Sequence, residues 1–162
     1  MASRGWMLLV AMAALPAIAE DVPFQGHVVE VDGRQPARPV QRVTGTVYSI
    51  PGSASQIVGK AELCLSPQKA GTGAIQSVDR DNGVLLAAAR AAYRYKGRTE
   101  SVDARLAVEA GAGSFRLVFT DFALSRDGAA AGPVLQQDGS GWDKSLTAVI
   151  GVEQAVLDCM FR

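Results

Sequence analysis

Histidine is the side chain best suited to move protons near neutral pH, and the chain has one, His27. It falls in a strand-like run, His27-Val28-Val29-Glu30-Val31, and no G-x-S-x-G turn supplies a nucleophile for it to activate. A strand histidine without such a partner reads as a satisfied or exposed side chain. One histidine and two distant cysteines do not spell a Cys/His metal set. Asp79 and Asp81 flank a turn and Asp121 ends a strand. A calcium loop needs about six to eight oxygens at fixed spacing, so these aspartates read as turn formers. Gly71-Thr72-Gly73 lacks the lysine and the following helix of a phosphate loop. No catalytic residue, cofactor or metal is expected, and the protein reads as a non-enzyme.

The remaining constellation is cationic. On a strand, Arg90, Arg94 and Lys96 would line one face, with Arg105 or Arg116 alongside. Such a face could receive an acidic peptide or an anionic envelope component. The competing account is a wet sheet face on which Asp103 and Glu109 pair with these arginines.

Exposing such a face in the envelope requires export, and the first residues have that layout. Arg4 precedes an apolar run from Trp6 to Leu15, Pro16 breaks it, and Ala17-Ile18-Ala19 offers small residues before Glu20. This is the pattern of a secretory signal peptide over residues 1–19, cleaved after Ala19. The run is shorter than the ~20 residues a membrane-spanning helix needs. Residues 20–162 are then one domain, expected to be periplasmic or secreted and without stable membrane insertion. Removing residues 1–19 takes away Arg4 alone and leaves 15 basic against 16 acidic side chains. That balance gives no field to attract nucleic acid. In an oxidising compartment, Cys64 and Cys159 point to one disulfide, worth up to ~4–5 kcal/mol on the chain-entropy model. Two buried free thiols are the alternative.

The elements that must position these residues centre on Gly83 to Leu124. Val102, Ala104, Leu106, Val108 and Ala110 alternate with polar neighbours, so one face of that strand is dry. Phe115, Leu117 and Phe119 do the same on the next strand, across the Gly111–Gly113 turn. Residues 84–95 contain Leu85-Leu86-Ala87-Ala88-Ala89, which favours helix. They follow Asn82-Gly83, a hairpin signal, and lead into the best strand, so they read as a long strand. Earlier, Asp21–Val31, starting with Phe24 and continuing through His27, reads as a short strand ended by Asp32-Gly33, Val43–Ile50 as another strand and Arg34–Arg42 as a loop. Ser53-Ala54-Ser55-Gln56 spells a capping box for a helix carrying Ile57, Ala61, Cys64 and Leu65 on one face and stopped by Pro67. Ser125–Gly141 reads as a surface loop. A closing helix carries Trp142, Leu146, Val149, Ile150, Val156, Leu157 and Met160 on its stripe, with Ser140-x-x-Asp143 as its cap. Antiparallel strands with segregated helices give an α+β class, both helices on one face of the sheet.

Val47-Tyr48-Ser49-Ile50-Pro51-Gly52, running into Ser53 and Gln56-Ile57-Val58-Gly59-Lys60-Ala61, resembles the strand-to-helix opening of an uncharacterised bacterial family. That family is described as a domain of unknown function with a TATA-binding-protein-like (TBP-like) fold. The turn Asp79-Arg80-Asp81-Asn82-Gly83 and the strand Ser114–Phe122 are similar too, and the likeness covers about residues 43–160. The resemblance implies a curved antiparallel sheet backed by helices and carries no activity. The family's first helix usually ends in a tryptophan near the position of Cys64. The smaller residue here needs another brace, which a bridge to Cys159 would provide. The expected function is a binding module for a protein or envelope component. The alternative is a carrier of a small apolar ligand between the sheet and its helices, where the alanines leave room.

Overall fold

A computed structural model describes residues 18–65 and 72–162. Most of the expected leader, the helix stop at Pro67 and Gly71 lie outside the described residues. The elements run β1 (Ala19–Phe24), β2 (His27–Asp32), β3 (Val40–Thr44), β4 (Tyr48–Ser49), α1 (Ala54–Cys64) and β5 (Thr72–Asp79). Then come β6 (Val84–Tyr95), β7 (Arg98–Gly111), β8 (Ser114–Arg126), β9 (Ala129–Gly132) and α2 (Trp142–Met160). One antiparallel sheet has the order β1-β2-β3-β8-β7-β6-β5, with β4 and β9 also paired to β8. Both helices cover the same face, and one core joins Leu85, Leu106, Phe119, Ile57, Leu146 and Met160. This is the α+β layout that the alternation implied.

Residues 84–95 are strand despite their helical propensity. All twelve pair with β7, from Val84↔Glu109 to Tyr95↔Arg98. A complete ladder and an apolar face outweigh the few tenths of a kcal/mol per residue that propensity contributes. Ala87 and Ala89, where room for an apolar ligand was expected, are buried on a strand that both helices pack against. The turn before β6 takes four residues, Arg80–Gly83, one more than the Asp81-Asn82-Gly83 turn expected. Asp79 organises it by accepting the Asn82 backbone N–H at 3.1 Å. A side chain at Gly83 would meet the Ala110 carbonyl oxygen at 2.1 Å, so glycine is required there.

Four expectations need correction. The single strand at Asp21–Val31 is a hairpin, broken at Gln25-Gly26 into β1 and β2. The span Val43–Ile50 breaks at Gly45–Val47 into β3 and β4. Ser125–Gly141 is not all loop, because β8 continues to Arg126 and turns into β9. These hairpins, and β6–β7, close on Gln25-Gly26, Asp127-Gly128 and Lys96-Gly97, two-residue loops in which both residues have positive φ. That geometry matches the twist of the flanking strands. Lastly, the N-cap position of α2 is Gly141, in the left-handed region, and not Ser140, although the Ser140 Oγ accepts the Trp142 N–H at 3.3 Å. The capping box on α1 is as read. The Ser53 Oγ accepts the Gln56 N–H at 3.3 Å, and the Gln56 Oε1 accepts the Ser53 N–H at 2.9 Å.

One irregularity in β8 decides which of its side chains reach the helix face. Register with β7 shifts between Asp103↔Ala123 and Arg105↔Thr120, and Asp121 sits there at φ 55°. This extra residue reverses the alternation. Phe115, Leu117 and Phe119 face the helices before it; Phe122 and Arg126 face them after it.

Candidate functional site

Two glutamates are buried on the helix side of the sheet, and each accepts a tyrosine hydroxyl and a basic group. Glu153 lies on α2 at 2 % exposure, and Glu100 on β7 at 4 %. A buried carboxylate persists only with charged and hydrogen-bonding partners. The two sites meet that demand differently.

At Glu153, Oε2 lies 2.8 Å from the His27 Nε2, and Oε1 accepts the Tyr48 hydroxyl at 3.0 Å. The other His27 nitrogen, Nδ1, lies 3.0 Å from the Gln25 carbonyl oxygen. Both ring nitrogens thus face acceptors, which the imidazolium satisfies with two N–H donations. The Glu153 hydrogen bond accordingly raises the His27 pKa, outweighing the opposing effect of burial. Burial first, and the Glu153 charge second, push the Tyr48 phenol up to about 12. A Cβ at Gly45 would come 2.8 Å from the Glu153 Oε1, so the chain leaves that volume to the carboxylate. Every partner in this centre comes from the protein, and His27 is itself buried. The site is closed.

Glu100 differs in what surrounds it. Its Oε2 accepts the Tyr93 hydroxyl at 2.9 Å, and its Oε1 accepts the Arg126 Nε–H at 2.7 Å. Burial pushes its pKa up, but Arg126 and Tyr93, with Arg98 nearby, hold it below the usual carboxylate range. Burial and the Glu100 hydrogen bond raise the Tyr93 phenol. Glu100 stands directly across from Arg126 in the ladder. The β8 bulge creates this pairing, since unbroken alternation would turn Arg126 to the opposite face.

Above this ion pair is a cleft of about 480 Å³ between the β6–β7 turn and the segment at 131–140. Lys96, Arg98 and Arg126 line it, with Leu124, Ala131, Pro133 and Leu135 as an apolar wall. The rim is tied across: the Tyr95 hydroxyl donates to the Gly139 carbonyl, and the Lys96 Nζ reaches the same oxygen at 3.4 Å. Among the described residues Arg98 has no hydrogen-bond or ion-pair partner, and Arg126 uses only its Nε. Three cations therefore surround one carboxylate that is already bonded. An arrangement of this kind offers positive charge and N–H donors to an anion.

The expected cationic row separates. Arg90 and Arg94 lie on the open face of β6, away from the helices. Lys96 leaves that face because it occupies the two-residue turn at φ 47°, and it lines the cleft. Arg90 donates to the Ser101 Oγ at 3.0 Å and lies 3.7 Å from Asp103. The rest of that face is laced similarly: Arg105 to Asp121 at 2.7 Å, Arg116 to Glu109 at 2.7 Å, Arg42 to Glu109 at 3.5 Å. Arg94 has no such partner among the described residues. Cys64 and Cys159 form a disulfide that joins the end of α1 to the last turn of α2, remote in sequence by 95 residues.

No family model and no curated protein matches the chain. Solved structures do. A DUF4468 family protein from Bacteroides ovatus superposes with a TM-score of 0.59 at 12 % identity, covering 80 % of this chain and 92 % of that one. A TBP-like protein from Parabacteroides distasonis gives 0.59 at 8 % identity, covering 75 % of this chain and 92 % of that one. At these identities the likeness is one of fold. It is the TBP-like α+β fold that the strand order and turns pointed to, and fold does not fix function.

Proposed function

We propose that this chain is a non-enzymatic binding module of the periplasm or extracellular space, and that it holds an anionic partner in the cleft beside Glu100. The observation that carries this reading is the imbalance there: Lys96, Arg98 and Arg126 gather around one buried carboxylate that Arg126 and Tyr93 already occupy. On the open face Arg90, Arg105 and Arg116 are each ion-paired, whereas in the cleft Arg98 has Glu100 nearby but no hydrogen bond or ion pair among the described residues. The single histidine supports a non-catalytic role, because both its nitrogens are committed to Gln25 and Glu153 within the core. The Cys64–Cys159 disulfide fits an oxidising compartment. Arg90 and Arg94, on the other face of the same hairpin, offer a second contact for a large partner.

Crosslinking in intact envelopes tests the reading. The expected adduct forms with the wild type, is lost in Lys96→Gln/Arg98→Gln, and survives in Arg90→Gln/Arg94→Gln at reduced yield. An adduct indifferent to the cleft pair, and abolished by the open-face pair, would move the binding surface to the open face.

A further inference from the structure

We infer that the group held in the cleft is a phosphomonoester on an apolar stem; this rests on the cleft being the anion site proposed above. The charge balance comes first. Among the residues that line the cleft, Lys96, Arg98 and Arg126 stand against Glu100 and leave two positive charges unmatched; Asp127, next to Arg126 in the chain and acting on it, lies outside that lining. One carboxylate supplies a single negative charge. A phosphomonoester supplies about −1.5 to −2 at neutral pH, together with three acceptor oxygens. It therefore matches the surplus within one compact group.

Placement comes second. Arg126 stands opposite Glu100 on the neighbouring strand, and Arg98 lies two residues along from Glu100 on the same face. Diagonal neighbours of this kind are ~7–8 Å apart at their backbones, so the two guanidinium forks can converge on one tetrahedral anion. Glu100 holds the Nε edge of Arg126, which leaves both terminal nitrogens for a ligand. Arginine is suited to this task because its planar fork donates two parallel bonds to phosphate. The Lys96 ammonium adds a point charge at the rim.

The wall comes third. Leu124, Pro133 and Leu135 present an apolar side that a bare phosphate ion would leave unused. The cleft volume, about 480 Å³, suits a ligand larger than an ion. A phosphate joined to a hydrocarbon or aromatic stem uses the cations and the wall together. Such a group occurs free in solution or as the headgroup of an anionic lipid, and the same contacts serve both.

Calorimetric titration at low salt separates these cases, using phenyl phosphate, inorganic phosphate, a hexaglutamate peptide, and phosphatidic-acid vesicles in a phosphatidylcholine background. Phenyl phosphate should bind about tenfold or more tightly than inorganic phosphate. Arg98→Gln should weaken it about tenfold or more, with Lys96→Gln as a second, milder variant and unfolding curves confirming that both fold. Affinity should fall as pH drops through about 6, where the dianion takes up a proton. Vesicle binding lost in Arg98→Gln assigns a lipid source, and soluble binding alone assigns a free one. Arg98-dependent binding of hexaglutamate with phenyl phosphate silent would overturn the phosphate assignment and leave the anion site standing. No binding of any probe would overturn both.

Discussion

Glu153 and Glu100 are two solutions to one problem. Each is a carboxylate under the helices, each takes a tyrosine hydroxyl, and each faces a base. Around Glu153 the base is a buried histidine whose second nitrogen is also engaged, so the charges cancel inside the protein. Around Glu100 the base is an arginine whose side chain is 47 % exposed, and two further cations open onto a cleft. The first arrangement fastens β2, β4 and α2 to one another. The second keeps a positive surplus facing solvent. The two buried charges differ in the number of unmatched cations around them, not in their depth.

The contrast can be broken most forcefully at Glu153. Glu153→Ala leaves the His27 ring and the Tyr48 hydroxyl without their shared acceptor and should lower unfolding free energy by about 3–5 kcal/mol in urea. Anion binding by the remaining folded fraction should be unchanged. A loss below about 1 kcal/mol, the size of an ordinary surface ion pair, would remove the closed centre as a fastener. Glu100→Gln should have a smaller effect, about 1.5–3 kcal/mol from one charge-assisted contact, because Arg126 regains solvent. Here binding should change as well, since the arginine is no longer held. An unaltered affinity would show that Glu100 does not position it.

The smallest effect is in pH dependence. The folded-state pKa of His27 is raised above its unfolded value of about 6.5. Its contribution is therefore fully present below that value and declines as pH rises through the folded pKa. Chemical unfolding across pH 6 to 9 should show this decline in the wild type and not in His27→Gln. Parallel curves would mean that the imidazolium is not the species in the core.

Much of the fold was legible because local and long-range signals agreed. The Ser53/Gln56 box, the alternation from Val102 to Phe119 and the turn at Asn82-Gly83 each stated their element. The missed hairpins had signals that went unused: Gln25-Gly26 and Asp127-Gly128 are both two-residue turns, and the second was masked by the Gly/Ala composition around it. The candidate site was harder to see. Glu100 occupies the dry phase of its strand two residues before Val102, and Glu153 interrupts the stripe between Val149 and Leu157. A charge in an apolar register marks a buried polar site, so both were visible in principle. Arg126 was not, because its face depends on a bulge at Asp121 that alternation alone does not announce. Lys96 was assigned to its neighbours' face by the same alternation, which stops at the turn.

The central claim is that the cations of the cleft serve a ligand and not the fold, and Arg98→Gln tests it most directly. Urea unfolding and phenyl phosphate titration of that variant should give stability within about 0.5 kcal/mol of the wild type. They should also give affinity lower by about tenfold or more. A loss of stability comparable to Glu153→Ala, with affinity retained, would contradict the account.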